Sequence, residues 1–101
     1  MRGFTFNEFE QQANPVRAPL DSKPITFWGC ELGGEAGEVC NVAKKIERDG
    51  ESAELDDRLI DEAGDTLLAL SWVLRKRGLS LNQAAEFALE KLEQIASEVN
   101  A

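Results

Sequence analysis

The chain contains no histidine. That absence removes imidazole general-base catalysis, Ser-His-Asp triads, histidine-containing zinc sites and the Glu-x-x-His di-iron bundle. Only two cysteines occur, Cys30 and Cys40. On one helix they stand roughly 15 Å apart along the axis, too far to bridge. The three prolines, at 15, 19 and 24, all lie in the first quarter. Beyond Pro24 glycine is the only helix breaker. No apolar run approaches the length of a membrane span, and no signal peptide is visible, so the expectation is a soluble, cytoplasmic protein. Basic residues are also scarce. Lys+Arg number 11 against 19 Asp+Glu, for a net charge of −8. Bulk-charge binding to nucleic acid or to an anionic membrane is not expected. A protein this acidic needs cations to handle phosphates.

What is present is helical in character. The 101 residues suit one domain spanning 1–101. Hydrophobic residues make up 43%, too many for disorder at this charge. Leu, Ala, Glu, Lys and Arg dominate, and no β-branched or aromatic run suggests a strand. The pattern predicts a short helix over about 7–13, ended by Asn14-Pro15. An irregular connection follows over 15–23. A long helix then runs to about Arg48, with Pro24 in its first turn and Asp21 or Ser22 near its cap. Asp49-Gly50 ends it. A third helix covers about 53–77, stopped by Gly78. Ser80-Leu-Asn-Gln83 reads as a capping box opening a fourth helix over about 81–99. The expected fold is an all-α antiparallel bundle of about four helices.

Helical phase places the acids. At about 100° per residue, Trp28, Leu32, Val39, Val42 and Ile46 share one apolar face of the second helix. Glu35 falls within that face, and Glu31 and Glu38 lie along its edge. On the third helix Leu55, Leu59, Ala63, Leu67, Leu70, Val73 and Leu74 form the core stripe. Glu62 sits about 20° from Leu55 and Val73, and Asp65 lies one step further out. Plain patterning would place Leu or Ala at 35 and 62. Buried carboxylates are costly unless paired or bound to metal. Two acid pairs on neighbouring helices, with no imidazole or thiolate beside them, favour a hard divalent ion, Mg²⁺ or Mn²⁺. An isolated E-x-x-E is common and usually solvated; two such pairs at the borders of apolar stripes are not.

Glycine is the second anomaly. Gly29, Gly33 and Gly37 recur every four residues inside the second helix, and Ala36 and Cys40 join their stripe. Each helical glycine costs roughly 1 kcal/mol relative to alanine. Close packing within the chain or against a second copy accounts for the stripe best; close approach of a ligand to the backbone is the alternative.

These residues resemble the MazG-type all-α NTP pyrophosphohydrolase superfamily. Its pattern is E-x-x-E, a spacer, then E-x-x-D. Here Glu35-Ala-Gly-Glu38 is followed, after 23 residues, by Glu62-Ala-Gly-Asp65. The flanks "GEAGEVCNVAKK" and "DEAGDTLLAL" match as well, and the likeness extends over about residues 22–78. "WGCELGGEAGEV" looks like the compact bacterial and phage members. The resemblance implies hydrolysis of a nucleoside triphosphate between its α and β phosphates, clearing surplus or noncanonical (d)NTPs. It implies Mg²⁺ on Glu35, Glu38, Glu62 and Asp65, with Glu35 or Glu38 orienting or deprotonating the attacking water. Many members carry a further glutamate where this chain has Gly34. Glu31, one turn earlier on the same side, is the available substitute, and the number of metal ions stays open.

Lys45 is the basic residue nearest in phase to the acids and is the candidate phosphate contact, against a simple role at the helix C-terminus. Trp72, on the side of Asp65, is the candidate for stacking on a base, whereas Trp28 reads as core. A helix of about 24 residues spans roughly 36 Å, long for so small a monomer. A homo-oligomer is therefore expected, a dimer at minimum; the resemblance implies a core completed by subunit pairing, often as a dimer of dimers, with the nucleotide between subunits. The rival readings are phosphoribosyl-ATP pyrophosphohydrolase, which shares fold and motif, and a non-catalytic acidic helical binding module.

Overall fold

The computed structural model describes residues 3–100. It contains four α-helices and, among the described residues, no strand: α1 (Phe6–Arg17), α2 (Ile25–Asp49), α3 (Ala53–Arg75) and α4 (Leu81–Val99). None is long and apolar enough to cross a membrane.

Capping chemistry explains most of the boundaries. Thr5 opens α1 with a capping box: the Glu8 amide donates to Thr5 Oγ1 at 3.1 Å and the Thr5 amide to Glu8 Oε1 at 3.0 Å. Ser52 Oγ accepts from the Leu55 amide at the start of α3. Ser80 and Gln83 form the expected box at α4, with exchanges of 3.2 and 2.8 Å. Gly50 (φ 93°) and Gly78 (φ 69°) take the positive φ that glycine tolerates, at the end of α2 and just after α3.

The first quarter departs from expectation. α1 continues through Pro15 to Arg17, and a 3₁₀ turn over Ala18–Leu20 follows. Proline removes one helical donor, but the helix persists because the next turn is anchored. The Arg17 side chain is fully enclosed and its Nη2 lies 2.7 Å from Asp21 Oδ1. That ion pair also occupies Asp21, so it does not cap α2. Pro24 itself takes the N-cap position, extended at ψ 162°, and no side chain caps the helix.

α2 and α3 form the close pair, an antiparallel hairpin joined by residues 50–52. α1 packs on α4, and α4 has only a small contact with α3. The predicted apolar face of α2 turns inward: Trp28 and Val42 are buried, Leu32, Val39 and Ile46 half-buried. On α3 the expected stripe is mostly half-buried, but Ala63 is exposed while Ala69 and Ser71 are buried. A single α2 cannot cover so wide a stripe. Ser71 tolerates burial because its hydroxyl donates to the Leu68 carbonyl at 2.9 Å. The glycine stripe of α2 does not pack within the chain: a Cβ added at Gly29, Gly33 or Gly37 would meet nothing within 4 Å. Cys30 and Cys40 are free and exposed.

The hydrophobic core is small. Among the described residues only Trp28, Val42, Ala69 and Leu81 are buried apolar side chains. On α4, Phe87, Leu89, Leu92, Ile95 and Val99 are all more than half exposed. The accessible surface is 7427 Å², against about 5,700 Å² for a compact 11.1 kDa chain. The radius of gyration is 16.3 Å, where a compact chain of this length has roughly 12.7 Å.

Candidate metal centre

Three of the four acids singled out by the sequence converge where α2 faces α3. Glu35, Glu62 and Asp65 each offer a carboxylate oxygen, and these lie within 4.8 Å of one another. Glu35 and Glu62 are half-buried and Asp65 is exposed. The E-x-x-D spacing places Glu62 and Asp65 on adjacent turns of one face of α3. The hairpin then brings Glu35 against them. Glu38 does not join the cluster; it is exposed, some 60° around α2 from Glu35. Three of the four acids therefore share one point within this chain.

Crowding shows in the titration of Glu35. Its pKa is raised above the ordinary 4.5, first by partial desolvation, then by the charges of Asp65, Glu62 and Glu31, and by a hydrogen bond with Glu62 that favours the protonated form. Ionised together at neutral pH, these carboxylates repel. A hard cation of small radius fits such an all-oxygen donor set and relieves the repulsion.

Beside the cluster lies a cleft of about 250 Å³, lined by Glu31, Glu35 and Asp65 on its acidic side and by Trp28 and Trp72 on the other. The indoles meet edge to face, with ring centroids 5.0 Å apart. Both Nε1–H groups are buried and have no hydrogen-bond partner. Trp72 thus stands where the sequence places it, at the acid site. Trp28 is buried as expected but is also a wall of this cleft. The signal lay in the spacing: Trp28 precedes Glu35 by seven residues and Trp72 follows Asp65 by seven. Two turns bring each tryptophan nearly into phase with its acid, and on antiparallel helices both fall at the same end of the site.

Behind the indoles sits Arg17, whose guanidinium carbon is 5.2 Å from the Trp28 ring centroid and 5.5 Å from that of Trp72. Nothing local in the sequence marks this residue, since its burial depends on α1 folding back. Lys45 is half-buried and does not line the cleft. Ten residues beyond Glu35, it is roughly 15 Å away along α2; its charge acts instead on Asp49.

Comparison with protein-family models, with curated proteins and with solved structures returns no match for this chain. The functional reading therefore stands on the motif residues and the geometry they adopt.

Proposed function

We propose that this chain is a Mg²⁺-dependent nucleoside triphosphate pyrophosphohydrolase. Water would enter at the bond between the α and β phosphates, and monophosphate and pyrophosphate would leave. The observation that supports this reading is the convergence of Glu35, Glu62 and Asp65 from two helices beside an aromatic cleft. The ordered pair of motifs, with flanks that resemble the MazG-type superfamily, supports the same chemistry. A non-catalytic acidic module would scatter its carboxylates over solvated faces, and these three converge.

Glu35, Glu62 and Asp65 are the residues that would hold Mg²⁺, with Mn²⁺ suited to the same donors. The bound ion would supply charge neutralisation on the phosphates and a water of lowered pKa. Glu35 or Glu38 would orient or deprotonate the attacking water, as the resemblance implies. Trp72, with Trp28 behind it, would cover the nucleoside with apolar surface and exclude water. Glu31 lines the cleft and is the extra acid that can compensate for Gly34.

The proposal includes a homo-oligomer, at minimum a dimer. The surface excess and the exposed apolar residues of α4 support it. The deciding experiment is pyrophosphate release from a panel of NTPs and dNTPs with Mg²⁺, beside Glu35→Gln and Glu62→Gln. One monophosphate per pyrophosphate, dependent on metal and lost in both variants, is expected. A folded wild-type protein that releases nothing from any nucleotide with Mg²⁺ or Mn²⁺ would refute nucleotide-pool clearance, and phosphoribosyl-ATP would be the next substrate to try.

A further inference from the structure

On the other side of the Arg17–tryptophan layer lies a separate cleft of about 620 Å³. That volume is in the range of small-molecule sites. One stripe of α1 lines it: Asn7, Glu10, Gln11, Asn14 and Arg17, which share one face because each lies three or four residues from another. Patterning normally turns an apolar stripe inward. Here α1 turns an entirely polar one toward the cleft, while Val16 is left 81% exposed.

Two side chains in that stripe are enclosed with polar atoms left unpaired. Asn14 Oδ1 is a buried acceptor that receives no hydrogen bond. Arg17, 2% exposed, has Nε and Nη1 hydrogens that no group accepts. Buried polar groups in native structures are nearly always paired, and each orphan carries a real desolvation penalty. The opposite wall adds Arg75 and Lys76 from the end of α3. Asp21 gathers all three cations: its Oδ1 lies 2.7 Å from Arg17 Nη2 and 3.9 Å from Arg75 Nε, and its carbonyl accepts from Lys76 Nζ at 2.7 Å. The other acid, Glu10, is committed to the Leu81 amide at 2.8 Å. In a chain of net charge −8, this cleft holds more positive than negative side chains.

We infer that the cleft between α1 and the α3–α4 turn binds a small phosphorylated molecule, its phosphate on Arg75 and Lys76, with the enclosed Arg17 adding its positive charge from behind the wall. A phosphate monoester offers three strong acceptor oxygens and up to two charges to this cationic wall. A carboxylate offers two oxygens and a single charge. The site contains none of the metal-cluster acids, so it functions without the divalent ion.

The test is calorimetric titration of ribose 5-phosphate, inorganic phosphate and acetate into the full chain in EDTA, where the metal centre contributes nothing. Ribose 5-phosphate should bind more tightly than inorganic phosphate, and acetate least. The exposed-surface double variant Arg75→Gln/Lys76→Gln should weaken ribose 5-phosphate about tenfold or more. Asn14→Asp, which sets a like charge beside the ligand, should abolish binding while circular dichroism shows the helices intact. Glu35→Gln should bind as wild type, which separates this site from the proposed hydrolase centre. Absence of binding up to about 10 mM, binding unmoved by Arg75→Gln/Lys76→Gln, or acetate equal to ribose 5-phosphate would overturn the inference.

Discussion

Replacing Leu92 with glutamate should dissociate the protein and unfold much of it. Leu92 belongs to a seam on α4 in which Leu81, Ala85, Ala88, Leu92, Ile95 and Val99 recur at alternating spacings of four and three, the repeat by which one helix packs along another. Beyond Ala85 that seam is exposed: Leu92 is 60% and Ile95 53% accessible. The surface of 7427 Å² exceeds the compact expectation by about 1,700 Å². Two chains burying that excess would form an interface of about 3,400 Å², in the range of obligate dimers. A dimer that unfolds as it dissociates has a concentration-dependent midpoint. For twice this chain length the unfolding entropy sets the shift at about 3 °C per tenfold in protein concentration. Sedimentation equilibrium and thermal melts at several concentrations measure both quantities. Leu92→Glu should give a monomer with a broad, weakened transition, and Gln94→Glu, on the opposite side of α4, should change neither. A wild-type mass of 11.1 kDa at about 100 μM, with a midpoint independent of concentration, would refute the reasoning.

The acid cluster makes a pH prediction. Because the folded pKa of Glu35 lies above its ordinary 4.5, the native state holds that proton more tightly than the unfolded chain does. Stability contributed by the protonated form is therefore present at low pH and lost as pH rises through the folded pKa. Glu35→Gln should flatten this decline in metal-free melts. Mg²⁺ should raise the wild-type midpoint at neutral pH and lose its effect as the cluster protonates. Val42→Ala, at a fully buried position, should cost about 2 kcal/mol in a urea titration, and Val39→Ala, half-buried, distinctly less. Gly78→Ala forces a side chain into φ 69° and should cost about 1 kcal/mol by the same assay.

Much of the helical plan was legible locally. Caps and stops are short-range chemistry, so Ser80-x-x-Gln83, Gly50 and Gly78 mark boundaries without reference to the rest of the chain. The Thr5–Glu8 capping box is equally local chemistry, and it opens α1 at Phe6, one residue before the start expected from the apolar pattern. Pro15 misled because proline reports a lost donor, not the anchor that Arg17 provides beyond it. The acids were also visible, since phase along a helix is a matter of 100° steps, and Glu35 and Glu62 interrupt apolar stripes.

Residue order alone indicated four helices, the capping box of α4, the stops at Gly50 and Gly78, the acid pairs and the sides they occupy, because these depend on contacts within a few residues. Only the tertiary structure decided which acids meet. Docking α2 on α3 joins Glu35 to Glu62 and Asp65 and leaves Glu38 outside. It pairs Trp28 with Trp72, and the return of α1 encloses Arg17 behind them. Those outcomes depend on which face of one helix another covers, a choice made by long-range packing, to which local spacing is blind.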